Sequence, residues 1–326
     1  ITLFASDSIY EIRSVNDVKS KTKLILRNLN GQFRFGTLNA VMGTSGSGKT
    51  SLLKVLNGQM KTRLSEESEF YLTKYCPTRV CYLTQEVSGH LMPGLTALQS
   101  LIYASRLKNY SMGVHEALKV DHEQVAINLL DELDLTETAQ TMVQNCSGGE
   151  RKRLALALEL TSMWMPNLIC IDEPTSGLDS NSAEIVIGCL REFVHRHNVT
   201  IIASIHQPNT DLMNMFDQIY VLAKSGVGIY SGPPSMIRQH LSQITGYNTF
   251  GTTFPVEELI KYSCMNHDDP VVQKLVQNND LNIITTTMAN KSLETETQYV
   301  PDGIPLNRIR FSIGSLPDRK STRLNS

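Results

Sequence analysis

The sequence predicts an α/β fold on a mainly parallel sheet, and three observations carry that expectation. Short apolar, β-rich runs recur at Leu38 to Met42, Val80 to Leu83, Leu168 to Ile171, Val199 to Ser204 and Gln218 to Leu222. Stretches of helical period lie between them, the alternation that covers a parallel sheet with helices. With 41% hydrophobic residues in a chain of 326, there is enough apolar material for a full core, and the length is that of about two domains of ~150 residues.

In chain order, the first run leads into a glycine-rich loop and then into a helix-period segment, Thr50 to Leu56. The second and third runs are separated by a strand-free block, residues 87 to 165. There Leu98, Leu101 and Ile102, then Val125, Leu129, Leu130 and Leu133, recur at the three- and four-residue steps of amphipathic helices, so a helical subdomain is expected inside the sheet domain. After Gly232, Pro233 and Pro234 one more helix runs to Ile244. Beyond Asn266 the pattern decays into Thr- and Asn-rich sequence, and residues 266 to 326 read as a linker or tail. No internal repeat is present, which disfavours tandem domains.

Charge and cysteine usage narrow the function classes. Thirty Lys and Arg against 32 Asp and Glu leave a net charge of −2, so there is no general basic field to recruit nucleic acid. The six cysteines never fall into C-x-x-C spacing, which argues against a zinc site and a disulfide framework and for a reducing, cytosolic setting. No uncharged apolar run reaches the ~18 residues of a membrane helix; the nearest, from Leu154 to Ile171, is interrupted by Glu159, Pro166 and Asn167. A first residue Ile1 and the absence of a signal peptide suggest a fragment.

Gly43, Thr44, Ser45, Gly46, Ser47, Gly48, Lys49 and Thr50 match G-x-x-x-x-G-K-[ST] between an apolar strand and a helix. In such a loop the glycines let backbone N–H groups point at phosphate and the helix N-terminus adds a positive dipole. Lys49 would reach the β- and γ-phosphates, and the Thr50 hydroxyl would reach Mg²⁺. A chance match in this length is on the order of one in a hundred. Downstream, the run ending at Ile171 delivers Asp172 and Glu173, one acid for the water shell of Mg²⁺ and the next for an attacking water, the Walker B pattern. Ser147, Gly148 and Gly149 precede another helix-period stretch and would form a second phosphate-holding helix N-terminus; a plain Ser N-cap is the bland alternative. The basic triplet Arg151, Lys152 and Arg153 reads as a solvated first helical turn rather than a localisation signal.

Together these motifs resemble the nucleotide-binding domain of an ATP-binding cassette (ABC) transporter, whose signature is S-G-G-E, here Ser147 to Glu150. The resemblance implies a P-loop NTPase (RecA-like) fold, α/β with an antiparallel β portion and an inserted α-helical subdomain. It makes Gln85 the Q-loop glutamine, touching Mg²⁺ and relaying nucleotide state, and places Asp179 in a D-loop with Ser176. His206 becomes the switch histidine at the γ-phosphate, and Ser51 joins the nucleotide contacts. The other seven histidines receive no role. The motif S-G-G-E-R-K-R, the run from Asp172 to Ser180, I-H-Q-P around His206, and Tyr230 followed by Ser231, Gly232 and Pro233 are similar to the G subfamily of half-transporters.

That likeness covers roughly residues 8 to 262 and departs at Phe254, Pro255, Val256 and Glu257, where the family often has N-P-A-D/E. Tyr10 is the best candidate to stack on adenine, against a plain strand aromatic. The resemblance implies domains 1–262, nucleotide-binding, and 263–326, a polar linker toward a transmembrane domain absent from this chain. Residues 319–326 look like a translated adaptor.

The function it implies is ATP hydrolysis with Mg²⁺ in a dimer of half-transporters, homo- or heterodimeric, at the cytoplasmic face of a membrane, the plasma membrane first. Two domains would sandwich two ATP molecules, with Ser147, Gly148, Gly149 and Glu150 of each serving its partner's nucleotide, to export a hydrophobic or lipid-like cargo. The membrane helices choose the cargo, so none is assigned. Alternatives are a soluble ABC ATPase of DNA maintenance or translation, and a non-hydrolysing nucleotide-gated module. Ser147 follows Gln85 by only 62 positions, too few for the coiled coil of the DNA-maintenance class. Glu173 and His206 argue against the non-hydrolysing one.

Overall fold

The structure, a computed structural model, describes residues 8–15, 18–20, 23–27, 29–59, 69–72, 79–87, 89, 91–110, 120–206, 210–224, 226–245 and 255–294. Five strands, β5 (Leu38–Gly43), β7 (Val80–Leu83), β8 (Leu168–Ile171), β9 (Thr200–Ile205) and β10 (Gln218–Ala223), form a parallel array. β11 (Val227–Gly232) adds antiparallel to β10, giving the order β11-β10-β5-β9-β8-β7. These five parallel strands are the runs expected from the sequence. The others expose less continuous apolar sequence: β1 (Ser8–Val15), β4 (Leu29–Arg34) and β6 (Glu69–Leu72) pair as an antiparallel sheet, and β2 (Val18–Ser20) pairs with β3 (Lys23–Leu26).

Side chains alternate across a strand, and here the alternation divides the core. Val41, Cys170, Ile202, Tyr220 and Leu222 pack on one face with α1 (Lys49–Leu56) and with Leu26, Leu29 and Phe33 of the antiparallel part. Ala40, Met42, Ile171, Ala203 and Val221 face the other side, where α5 (Ser180–His197) supplies Ile187, Leu190 and Phe193. Central strands buried on both faces read as continuous apolar runs, and so these were the legible ones.

β7 and β8 are neighbours in the sheet, and between them the chain makes α2 (Ala97–Asn109), α3 (His122–Glu132) and α4 (Gly148–Leu160). Each begins on a capping side chain. Thr96 and Gln99 form a capping box, Asp121 accepts from Gln124 N–H at 3.0 Å, and Ser147 and Glu150 form a second box. Such caps satisfy backbone donors that a helix start leaves open.

After α6 (Thr210–Met213) and α7 (Ile237–Thr245), α8 (Pro255–Ser263) opens on Pro255 and buries Val256 and Leu259; Phe254 lies outside the described residues. The chain then departs from expectation. Residues read as the start of a linker form a 25-residue helix, α9 (Pro270–Glu294), packed on β11. Asp269 caps it, accepting from Val271 N–H at 2.8 Å. Val272 and Leu275 are fully buried, and Asn30 of β4 donates to Asp280 at 3.0 Å.

The buried apolar stripe is short, Val272 and Leu275 with Val271 and Val276 beside them, which is why residues 270–294 carry so weak a helical signal in the sequence. Leu275→Ala is therefore expected to cost about 2–5 kcal/mol, the range for a buried Leu truncation, seen as a lower urea midpoint; an unchanged midpoint would mean a detached tail. Residues 295–326 of the expected linker lie outside the described residues, and among those described no helix is long and apolar enough to cross a membrane.

Candidate active site

Sheet register collects the candidate residues at one edge. Met42 pairs with Ile205, Ile171 with Ala203, and Leu83 with Ile171. The residues that follow, Gly43, His206, Asp172, Glu173 and Gln85, thus emerge at the carboxyl ends of adjacent parallel strands, where ligands of open α/β sheets bind.

From β5 the chain turns through the glycine-rich loop into α1. Gly43 has φ 142° and Gly48 φ 101°. A Cβ on Gly43 would lie 2.3 Å from the Leu222 carbonyl and 2.7 Å from Ser47 Oγ, so only glycine lets this turn close. Lys49 is 7% exposed and its Nζ donates to the carbonyls of Gly43 (2.8 Å) and Thr44 (3.1 Å). Burial pulls its pKa below the ordinary lysine value, opposed by the charges of Glu173 and Asp172. The hydroxyl oxygens of Thr44 and Ser47 are buried with no hydrogen-bond partner, a state that destabilises unless a ligand or water satisfies them. A loop with orphaned hydroxyls, a buried ammonium and a helix N-terminus is suited to an anion. Ser45, Gly46 and Thr50 are exposed and Ser51 half-buried along it.

The acids form a connected network. Ser204 Oγ donates to Asp172 Oδ1 at 2.6 Å and accepts from Glu173 N–H at 2.9 Å; Tyr82 OH donates to Asp172 Oδ2 at 3.2 Å. Burial, with the Asp172 charge added, pushes the Tyr82 phenol upward, so it stays a donor. Gln85 Nε2 donates to Glu173 Oε2 at 2.7 Å, which joins two of the expected residues directly. Glu173 itself has φ 51°, a left-handed backbone unusual for a side-chain-bearing residue. His206 is exposed at the end of β9, and residues 207–209, which include Gln207 and Pro208 of the I-H-Q-P run, lie outside those described. Tyr10 lies on β1, and its side chain is outside the described residues.

At the start of α4, Ser147 is exposed, and its Oγ accepts from Glu150 N–H at 3.2 Å. Both Glu150 oxygens are engaged, by Ser147 N–H at 2.6 Å and by Thr138 Oγ1 at 2.9 Å. Burial pushes that carboxyl up, but these bonds outweigh it and hold its pKa low. Gly148 packs on Leu178, which ties the turn to the segment that ends at Asp179. Asp179 caps α5, accepting from Ser182 N–H at 3.0 Å and Ser182 Oγ at 2.6 Å.

The basic triplet is not a solvated turn. Arg151 and Lys152 are half-buried, while Arg153 is 9% exposed and donates to the Asp134 carbonyl at 3.2 Å. The physical reason is that α4 is enclosed by α2, α3 and α5, so even its first turn meets protein rather than water.

Residues 26–176 match the sequence profile of the family described as ABC transporter. The chain is 35% identical over 254 residues, 73% of its length, to ABC transporter G family member 1 of Dictyostelium discoideum. It is 33% identical over 272 residues, 81% of its length, to ABC transporter G family member 22 of Arabidopsis thaliana. The chain belongs to the ABC transporter family. It spans 30% and 35% of those two relatives. The structure of cbiO1 from Clostridium perfringens, part of the ABC transporter complex cbiONQ, superposes with a TM-score of 0.59 at 21% identity, covering 74% of this chain and 97% of that one, a likeness of fold. The P-loop α/β fold expected from the sequence is thus borne out, and the chain carries the ATP-binding domain of that family.

Within this ABC domain, sequence reading missed Ser204, Tyr82 and Lys152. Ser204 lies two residues before His206 and Tyr82 three before Gln85, so proximity to a motif is the only sequence signal either carries. Lys152 was hidden inside the basic triplet.

Proposed function

We propose that this domain binds and hydrolyses Mg-ATP as the engine of a G-type ABC half-transporter. The observation that carries the reading is the hydrogen-bonded set Gln85, Glu173, Ser204 and Asp172 at the strand ends beside a phosphate loop with two orphaned hydroxyls. The backbone from Gly43 to Ser51, with the Thr44 and Ser47 hydroxyls and the Lys49 ammonium, would hold the phosphates. Thr50, Gln85 and Asp172 would hold Mg²⁺. When bound, the ion neutralises phosphate charge.

Asp172 is fixed as a carboxylate acceptor by Tyr82 and Ser204, which leaves it oriented before any ligand arrives. Glu173 accepts from Gln85 and is the general base that takes a proton from water. His206, at the end of β9, reaches toward the terminal phosphate.

Ser147, Gly148 and Gly149 act on the nucleotide of a second, paired domain. Ser147 is exposed, while Glu150 and Asp179 act chiefly by holding the two helix starts that frame that surface. The pair, homo- or heterodimeric, joined to its transmembrane domains at the cytoplasmic face of a membrane such as the plasma membrane, exports a hydrophobic or lipid-like cargo. The transporter names of the relatives favour this over a soluble ABC ATPase.

The reading is tested by mixing. Isolated chain is expected to hydrolyse ATP slowly, with specific activity rising with protein concentration, because each site needs Ser147 from another copy. Lys49→Ala and Ser147→Arg chains, each inactive, restore part of the activity when combined, since one of the two composite sites then has both halves intact. Concentration-independent activity without complementation would mean a self-sufficient monomer.

A further inference from the structure

Glu173 is held from both sides of its backbone by side chains of other elements. Its N–H donates to Ser204 of β9, and its carbonyl accepts from Lys152 Nζ of α4 at 3.1 Å. Lys152 Nζ also donates to the Ser176 carbonyl at 2.6 Å and to Ser176 Oγ at 3.0 Å, so all three ammonium donors are committed to the short turn from Glu173 to Ser176. That turn begins in the left-handed region, φ 51° at Glu173, which side-chain-bearing residues keep only when their surroundings hold them there. Lys152 is half-buried, and burial pulls its pKa down to about 8 against the opposing charge of Glu173. A half-buried cation whose donors go to the Glu173 carbonyl and to both oxygens of Ser176 does more than a helix surface needs.

We infer that Lys152 is a positioning residue for ATP hydrolysis, holding the Glu173 turn so that the carboxylate stays beside Gln85, and that it acts on the site of its own chain although it sits on the turn that faces the partner's nucleotide. This rests on the composite-site reading above.

Lys152→Met keeps the aliphatic stem and removes the donors. In the chain as it stands, kcat is expected to fall roughly 10- to 100-fold, the scale of a slightly misplaced catalytic group, with KM for ATP within about twofold and an unchanged melting temperature. Lys152→Arg, whose fork can still reach two carbonyls, recovers most of the loss.

The complementing mixture locates the effect. Lys152→Met placed in the Ser147→Arg chain, which supplies Glu173 to the working site, lowers the restored activity by the same factor; placed in the Lys49→Ala chain it changes that activity by less than about twofold. A kcat within about twofold of wild type overturns the inference. So does a loss that is equal in both placements or confined to the Lys49→Ala chain, and so does a loss that tracks a fall in melting temperature without rescue by Arg. Failure of the unmodified complementing pair rejects the composite-site reading instead, and the kcat, KM and rescue measurements on the single chain then judge Lys152 alone.

Discussion

Glu173→Gln is expected to abolish ATP turnover while ATP binding persists, and to trap an ATP-bound dimer. Asp172 and Glu173 are consecutive just beyond the end of β8, and the left-handed turn at Glu173, φ 51°, sends the two acids to different partners. Asp172 is engaged by Ser204 and Tyr82, whereas the Glu173 carboxylate meets Gln85. A Gln at 173 retains an oxygen to accept that bond, and the backbone bonds to Ser204 and Lys152 do not involve the side chain. Geometry therefore survives, and what is lost is the ability to take a proton.

A positioned carboxylate base contributes about 10²- to 10⁴-fold in rate, and this is the expected loss. Removing a negative charge near the terminal phosphate lengthens the bound state. Asp172→Asn differs in kind. Both Asp172 oxygens accept from hydroxyl donors, so the amide leaves either Tyr82 or Ser204 facing an NH₂ group. It weakens the Mg²⁺ dependence of ATP binding and traps no dimer. Steady-state phosphate release and size-exclusion profiles in Mg-ATP decide: release by Glu173→Gln within about threefold of wild type, far short of the loss of a base, removes this residue as the base.

Lys49→Ala is the second large effect. The ammonium is buried and already bonded to the Gly43 and Thr44 carbonyls, so it is fixed at the loop before phosphate arrives and loses little freedom on binding. Burial destabilises the cation and the nearby acids favour it, so an incoming polyphosphate gains a partly desolvated positive partner. A hydrogen bond to a charged group contributes about 1.5–3 kcal/mol, and its loss raises the ATP dissociation constant roughly 10- to 150-fold. Alanine also leaves two loop carbonyls without their donor. Titration at fixed salt reads the effect, and an unchanged dissociation constant would reject the phosphate-loop assignment.

What the sequence determined by itself was everything written in contiguous residues. The glycine-rich loop is eight consecutive positions from Gly43 to Thr50 whose backbone geometry follows from their own φ preferences and from the strand and helix on either side. The five parallel strands were legible because a sheet covered by helices makes them largely apolar, and the Ser147 N-cap because a serine stands directly before a helix-period stretch.

Tertiary structure alone decided which side chains hold the acids. Ser204 reaches Asp172 across 32 positions, Tyr82 across 90, and Lys152 reaches Glu173 across 21. None is unusual in its own neighbourhood, and each acquires its part only when the register of β7, β8 and β9 and the seat of α4 bring it to the strand ends. The same reason explains α9. Its sequence carries too narrow an apolar stripe to announce a packed helix, but β11 and β4 offer a surface on which Val272 and Leu275 are buried and Asp280 finds Asn30. A local pattern records what a residue prefers, and only the assembled sheet fixes what it touches.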